Sequence, residues 1–287
     1  MTDEEGPPLA RKLWRRAAPL LFWLLVWELL ALAVDRRALA AAWTAGDWGG
    51  VLEALRYGQE LLLPAPLAVA EELLELAAGA ELWRTAALSL LRIFGGALAG
   101  TILGTALAAA TSASPWADRL LSPAVKVVRA VPVASFIVLV LLWVERDLVP
   151  VTISALMVLP VIWGSVSKGV AQTDGQLLEL ARAYRFGRWK TLSLVYVPSV
   201  LPYFASGCRT ALGLGWKAGV AAEVLCLPAA AIGSQIYFAK IYLETTALFA
   251  WTLVVIALSF ALEQAVGRLL GRLDRWKGGG PCQSSGD

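Results

Sequence analysis

The residues with the clearest chemical potential are three ionisable side chains inside one apolar stretch: Arg209, Lys217 and Glu223. An ionisable group at mid-membrane costs about 2.5–3.5 kcal/mol on insertion scales, and such groups mostly face a protein interior or a water-filled path. Lys217 and Glu223 do not share one helix face, so we expect no ion pair between them. If Arg209 extends to the inner surface and Glu223 lies near the outer end, Lys217 is the deep charge. A cation on such a path would suit an anionic solute.

Several kinds of site are excluded by the residue inventory. The sequence has no histidine, which removes the usual haem ligand, general base and metal ligand. Its three cysteines, Cys208, Cys226 and Cys282, form no C-x-x-C pair, so we expect buried or unpaired thiols rather than a disulfide framework or a zinc site. It also lacks a G-x-x-x-x-G-K-[ST] phosphate loop. We therefore expect no catalytic or metal-binding residues, no cofactor bound by this chain and no enzyme activity.

These charges must be positioned by membrane-spanning helices. Of the 287 residues, 58% are hydrophobic and only 16% are charged, and the apolar residues form long blocks. A spanning helix needs about 20 mostly apolar residues. The sequence predicts an all-α membrane protein with about six spans, at residues 17–34, 88–111, 131–144, 148–166, 202–225 and 248–270. The third of these is short unless it starts earlier, near Pro123.

Orientation follows from the lysines and arginines, which favour the cytoplasmic side of a membrane. Most of the 25 basic residues fall on one side of the predicted spans when both termini are cytoplasmic. The predicted organisation is a cytoplasmic tail at 1–16, a first transmembrane helix at 17–34 and an extracytoplasmic segment at 35–82, with an acidic surface helix around 71–76. The main transmembrane domain at 83–275 then contains a cytoplasmic loop at 168–202, and a disordered tail follows at 276–287.

Small residues recur every four positions on two of the spans. One set is Gly96, Gly100 and Gly104, and the other is Gly207, Ala211, Gly215 and Gly219. Small residues on one face let helices approach closely where lipid supplies no hydrophobic drive. The pattern indicates either tight packing within one subunit or a dimer seam along a path.

The cytoplasmic loop carries the strongest local pattern. Thr173 and Gln176 have the spacing of a capping box that starts a helix. Leu177, Leu180, Ala181 and Tyr184 follow as one apolar stripe, Gly187 is expected to break this helix, and a second run at 189–197 is expected to end at Pro198. Such a pair of short helices would either lie on the membrane surface or dock a cytoplasmic partner.

The same loop resembles a known motif. The run from Glu179 through Ala181 and Gly187, followed by Val197-Pro198 and Leu201-Pro202, is similar to the EAA loop of binding-protein-dependent ABC transporter permeases. The stretch from Pro202 to Glu223 resembles the nitrate, sulfonate and taurine branch of that family. The chain departs from the motif at Leu180, where the family has alanine, and at Arg185, where it usually has glycine.

The resemblance implies a type I ABC importer permease fold and a set of partners. Two permease copies, expected to be a homodimer, would surround the path in a bacterial plasma (inner) membrane. A separate ATP-binding subunit, holding ATP with magnesium, would dock on the loop, and an extracytoplasmic substrate-binding protein would deliver the solute. The residues implied in docking are Glu179, Leu180, Ala181, Tyr184, Gly187, Pro198 and Pro202. Arg209, Lys217 and Glu223 are the candidates for lining the path.

The solute and the mechanism leave alternatives open. The branch carries sulfonates, nitrate, taurine and similar small anions, and it also includes carriers of thiamine-type precursors. A secondary transporter or channel that works without an ATPase is the main alternative, although the two halves of the chain show no repeat. A membrane anchor of a redox enzyme lacks haem-binding histidines, and a membrane-embedded enzyme lacks a catalytic cluster.

Overall fold

The structure is a computed structural model that describes residues 9–34, 36–59 and 63–277. The described residues are almost entirely helical, as predicted, with one minimal antiparallel pair of two-residue strands. In chain order the elements are α1 Leu9–Val34, α2 Arg36–Ala45, α3 Trp48–Tyr57, β1 Gly58–Gln59, β2 Leu63–Pro64, α4 Pro66–Ala78, α5 Ala80–Ala113, α6 Pro115–Ala130, α7 Val133–Val140, α8 Val149–Ala171, α9 Gly175–Ala183, α10 Arg188–Thr191, a π-helical turn Leu192–Tyr196, α11 Val197–Cys226, α12 Ile232–Ile241 and α13 Thr245–Lys277.

Four helices in the described part of the chain are long and apolar enough to cross a membrane. They are Ala80–Ala113, Val149–Ala171, Arg188–Cys226 and Thr245–Leu269. These four correspond to the second, fourth, fifth and sixth predicted spans, and hydropathy placed each of them correctly along the chain. The helices are longer than predicted because their ends continue into polar sequence, where hydropathy gives no signal.

The third predicted span is not one helix. The prediction of a single span at 131–144 is wrong, because α7 ends at Val140 and is joined to α6 through a bend of 106°. The bend follows from Pro132, which disfavours helical backbone at the preceding residue. Val131 accordingly has an extended conformation, with ψ of 134°. Counting the bent pair as one span raises the number of candidate spans from four to five.

The first predicted span lies within α1. The apolar part of α1, Ala18–Val34, is shorter than the ~20 residues that a spanning helix usually has. Because α1 begins at Leu9, the second half of the predicted tail at 1–16 is helical, and residues 1–8 lie outside the described residues. At the other end, α13 continues to Lys277 and includes the first two residues of the predicted disordered tail at 276–287. The rest of that tail lies outside the described residues.

The chain divides into two compact units, of which the first comprises residues up to Trp83 together with Gln235–Val254. Within this unit the indole N–H of Trp27 donates to the carbonyl oxygen of Pro64 at 3.2 Å. The ring of Trp27 also lies 5.7 Å from that of Phe249. These contacts tie α1 to the strand pair and to the start of α13.

The acidic helix that the sequence predicts around residues 71–76 is present in the first unit as α4. It begins at Pro66, a residue well suited to the first turn of a helix. Partial burial raises the pKa of the Glu72 carboxyl group, and the neighbouring carboxylates of Glu75 and Glu244 raise it further.

The second unit comprises Arg84–Ser234 and the chain from Val255 onward, and glycines hold its helices together. A Cβ added at Gly100 would lie 2.5 Å from the carbonyl oxygen of Ala155, and one at Gly104 would lie 2.6 Å from that of Leu159. Gly96 is equally tight against the backbone of Val151. The stripe on α5 therefore packs directly on α8, within one chain.

The glycines of α11 likewise allow close packing, in their case against α8 and α5. A Cβ added at Gly207 would lie 2.5 Å from Ser165 Oγ of α8, and one at Gly219 would lie 2.6 Å from Ile93 of α5. Of the two interpretations of the glycine stripes, the structure shows packing inside a three-helix core of α5, α8 and α11. Cys208 and Cys226 are buried in this core as free thiols, whereas Cys282 lies outside the described residues.

Candidate functional site

The loop at 168–202 opens with a capped helix. Asp174 is the N-cap of α9, and its side chain accepts a hydrogen bond from the backbone N–H of Gln176 at 2.8 Å. Thr173 instead donates its hydroxyl hydrogen to the carbonyl oxygen of Gly169 at 3.2 Å. The predicted capping box is therefore wrong by one residue, because an aspartate at the N-cap is a better acceptor than threonine.

The turn after α9 depends on Arg185 rather than on Gly187. Arg185 has a positive φ of 50°, and the N–H of Phe186 reaches back to the carbonyl oxygen of Ala181 at 2.8 Å. This is the left-handed C-terminal turn that glycine usually occupies. Gly187 has an ordinary φ of −68° and precedes α10, so the prediction that Gly187 breaks the helix is wrong. The EAA motif usually has glycine where this chain has Arg185. The positive φ at this position explains that preference.

The second half of the loop continues straight into a spanning helix. The α10 segment, the π-helical turn and α11 form one helix from Arg188 to Cys226, 39 residues long. The predicted end at Pro198 is therefore wrong. Pro198 lies in the first turn of α11, directly after the π-helical turn, where a residue without an N–H is tolerated.

One face of the loop is apolar and exposed. Leu177, Leu180, Tyr184 and Trp189, which we call the loop face, expose 44%, 52%, 71% and 83% of their surfaces. Ala181 of the same stripe is buried and fixes α9 to the rest of the second unit. Behind the loop face a groove of about 630 Å³ is bordered by Arg182 and Arg188 among others. Large apolar side chains that remain this exposed mark a surface that contacts another protein or a membrane.

The other predicted docking residues are all exposed. Glu179 projects from α9, Gly187 caps α10, and Pro198 and Pro202 lie on the first two turns of α11. The structure thus brings the predicted docking residues into one continuous stretch of two helices and a turn.

Glu223 is separated from the two cations of α11. Its side chain is fully buried, and Oε2 accepts hydrogen bonds from the hydroxyl of Ser89 at 2.9 Å and from the N–H of Gly233 at 3.1 Å. Ser89 in turn accepts from the N–H of Ile232 at 3.0 Å. A Cβ at Gly233 would lie 2.5 Å from that of Glu223. Glu223 therefore holds the first turn of α12 against α5 and α11.

Arg209 and Lys217 are both exposed on α11. Neither forms a hydrogen bond or an ion pair with the part of the chain that the structure describes. Within this single chain they have no structural partner, which distinguishes them from Glu223.

Sequence reasoning missed two further groups of charges. Arg92 forms an ion pair with Asp147 at 3.0 Å and donates to the carbonyl oxygens of Ala229 at 3.0 Å and Ala230 at 3.4 Å. Asp147 also accepts from the N–H of Ala229. The second group is Glu263 of α13, which lines one cavity with Arg209. The available signal was the same in both cases, an ionisable residue inside or at the edge of an apolar block.

Comparison with known proteins gives the family. A family model described as binding-protein-dependent transport system inner membrane component matches residues 87–275. The taurine transport system permease protein TauC of Escherichia coli is 29% identical over 224 residues, which cover 76% of this chain and 81% of TauC. The riboflavin transport system permease protein RibX of Chloroflexus aurantiacus is 25% identical over 253 residues, covering 88% of this chain and 91% of RibX.

A further relative and a solved structure agree with this family. The bicarbonate transport system permease protein CmpB of Synechococcus elongatus is 28% identical over 198 residues, which cover 68% of this chain and 67% of CmpB. The solved structure, an amino acid ABC transporter crystallised with histidines, has a TM-score of 0.56 at 16% identity and covers 73% of this chain and 97% of its own, which shows a shared fold. The chain is therefore a multi-pass inner membrane protein of the binding-protein-dependent transport family, the permease component of an ABC importer.

Proposed function

We propose that this permease forms the path for a small anionic solute of the sulfonate, nitrate or taurine type and docks a separate ATP-binding subunit through the loop at 168–202. Binding of ATP with magnesium on that subunit would drive the path between its inward-open and outward-open states. A substrate-binding protein would deliver the solute outside, and a second copy of this chain would complete the path. The relatives named for taurine, riboflavin and bicarbonate transport support the permease role but differ in solute.

The observation that carries the docking proposal is the loop face. Four large side chains, Leu177, Leu180, Tyr184 and Trp189, remain exposed although α9 is fixed by buried Ala181. A rigid, capped helix with an apolar outer face has the features of an element that inserts into a groove on another protein. Basic residues surround this face, so a bilayer surface is the competing partner that an experiment must exclude.

The preference for an anionic solute rests on Arg209 and Lys217. Both face outward from α11 without a partner in the described part of this chain. Contact with lipid would leave them in a low-dielectric environment, which is costly for a charge near mid-membrane. We infer that this face of α11 borders a polar path, where two cations would favour a negative solute.

The proposed topology has six spans with both termini in the cytoplasm. It counts α1 and the bent pair of α6 and α7 as spans in addition to the four long helices. Fusions of a reporter that is active only in the cytoplasm, placed after residue 59 and after residue 287, should be inactive and active, respectively. The reverse pattern would contradict the proposed orientation.

The docking proposal is tested by co-purification of the permease with its ATP-binding subunit in detergent. We expect Tyr184→Ser and Leu180→Asp each to reduce recovery of the subunit at least tenfold without changing the yield of folded permease. Tyr242→Ser is the matched control, because Tyr242 is similarly exposed, at 68%, but follows α12. If both loop variants retain the subunit and its solute-stimulated ATPase activity, the loop is not the docking element.

A further inference from the structure

A cavity of about 280 Å³ lies between α11 and α13 in the second unit. Its wall includes Arg209, Gly213 and Trp216 of α11 and Ser259 and Glu263 of α13. Taking about 30 Å³ for each water molecule in the liquid, this volume suits a solute of roughly nine water-sized groups. The cavity therefore combines a cation, an anion and an aromatic ring in a space that fits a small molecule.

The two charges of the cavity lie close along the helices but do not pair. A Cβ added at Gly213 would lie 3.9 Å from Glu263 Oε1, so the carboxyl group of Glu263 lies over Gly213. Gly213 is one helical turn from Arg209 on the same face of α11. Neither Arg209 nor Glu263 forms an ion pair or a hydrogen bond within the described residues. Because the two charged groups do not neutralise each other by pairing, both remain open to a third, charged group.

Trp216 is the largest side chain in the wall of the cavity. Its side chain is 97% buried, with 3% exposed, yet its indole N–H has no hydrogen-bond partner among the described residues. Because this N–H is enclosed by the protein, the indole presents its ring, not a hydrogen-bond donor, to a molecule in the cavity. The side chain lines the cavity two turns from Arg209, so the wall offers an aromatic surface beside the two unpaired charges.

We propose that this cavity binds a small zwitterion, with its anionic group at Arg209 and its cationic group at Glu263. The proposal rests on the proposed function and makes it more specific, because the permease itself then distinguishes a zwitterion from a simple anion. A plain anion would satisfy Arg209 and be repelled by Glu263, whereas a molecule with an amino group a few ångströms from its acid group would satisfy both. Selectivity would thus be applied a second time, after the solute has left its binding protein.

The test compares pairs of probes that differ only in the amino group. Taurine is paired with ethanesulfonate and β-alanine with propanoate, and their binding to the purified full-length permease in lipid nanodiscs is measured by calorimetry. We expect the zwitterion of at least one pair to bind at least tenfold more tightly than its partner. Glu263→Gln should remove that preference while leaving the affinity for the plain anion unchanged or higher, and Arg209→Gln should weaken both probes.

Two further variants separate recognition from folding. Glu263→Asp and Arg209→Lys keep the charges, and they should retain part of the preference if the site recognises charge. Glu145→Gln, at an exposed turn, is the matched control and should leave both affinities unchanged. The proposal is overturned if no probe pair is discriminated by the wild-type chain, or if Glu263→Gln leaves the preference intact.

The outcome is distinguishable from a failure of the proposed function. If an ATP-binding subunit co-purifies with the permease but no zwitterion is preferred, the cavity proposal fails and the importer proposal stands. If the preference is present but no ATP-binding subunit associates, the cavity binds its ligand and the coupling proposal fails.

Discussion

Ser89 of α5 donates a hydrogen bond of 2.9 Å to Glu223 of α11, across 134 residues of sequence. The same oxygen of Glu223 accepts from the N–H of Gly233, and Ser89 accepts from the N–H of Ile232. Two side chains thus satisfy two backbone donors in the first turn of α12, donors that a helix cannot satisfy internally. This buried network fixes the start of a helix.

The network predicts a difference between two substitutions of Glu223. Glu223→Ala leaves the N–H of Gly233 and the hydroxyl of Ser89 unsatisfied, and we expect it to destabilise the protein by about 3 kcal/mol. Glu223→Gln keeps one oxygen for both donors, and its amide replaces the oxygen Oε1 that has no partner in the described residues. It should cost less than about 1 kcal/mol. Thermal unfolding in detergent measures both, and equal losses for the two variants would contradict the network.

A second prediction compares two glycines of α5, Gly95 and Gly100. Gly100→Ala places a methyl group 2.5 Å from the carbonyl oxygen of Ala155, so α5 and α8 must separate, at a cost of about 1–3 kcal/mol. Gly95→Ala is the matched control on the same helix, because a Cβ there meets nothing within 4 Å. Unfolding temperature should fall for Gly100→Ala and stay the same or rise for Gly95→Ala, because alanine favours a helix more than glycine does. Equal behaviour would show that the helices are not in close contact.

The left-handed backbone of Arg185 predicts opposite effects for two Arg→Gly substitutions. At Arg185, with φ of 50°, glycine removes a strain of about 1 kcal/mol and should stabilise the loop. At Arg182, inside α9, glycine should destabilise the helix by about 0.5–1 kcal/mol. Limited proteolysis of the loop reports both effects, as slower cleavage for Arg185→Gly and faster cleavage for Arg182→Gly. Faster cleavage of Arg185→Gly would mean that the turn is not left-handed.

The raised pKa of Glu72 predicts a pH dependence in the first unit. Because the folded-state pKa lies above the unfolded value of about 4.3, folding disfavours the ionised form. Stability from this group is therefore complete below that value and falls as pH rises through the raised pKa. Glu72→Gln should unfold at a higher temperature than wild type at pH 7 and show no advantage at pH 4. Glu75→Gln should give part of the same effect, since Glu75 is one cause of the shift. An advantage for Glu72→Gln that is equal at both pH values would contradict the prediction.

The main spans could be predicted from sequence because hydropathy and glycine spacing are local properties. Four of the six predicted spans are present as long apolar helices, and the spacing of Gly96, Gly100 and Gly104 indicated close packing. The bend in the third span lies at Val131 and Pro132. The proline is a local signal for such a bend, but the prediction followed the apolar pattern instead. The exact start of α9 turned on a choice between Thr173 and Asp174, which spacing alone did not decide.

The charged residues were harder to interpret, because their roles depend on partners that are distant in sequence. Glu223 was grouped with Arg209 and Lys217 since all three lie in one apolar block. The structure gives Glu223 partners from α5 and α12, whereas Arg209 shares a cavity with Glu263 of α13. Tertiary packing brings such partners together, and the spacing of residues along the sequence does not reveal them.

The unbroken helix from Arg188 to Cys226 has a mechanical consequence. Its 39 residues span about 58 Å, so a tilt of about 10° at one end sweeps the other end through about 10 Å. The π-helical turn at Leu192–Tyr196 interrupts the regular winding of this rod close to its Arg188 end. Glu223, near the far end, is tied to Ser89 and Gly233, so any such tilt has to carry α5 and the first turn of α12 along with it.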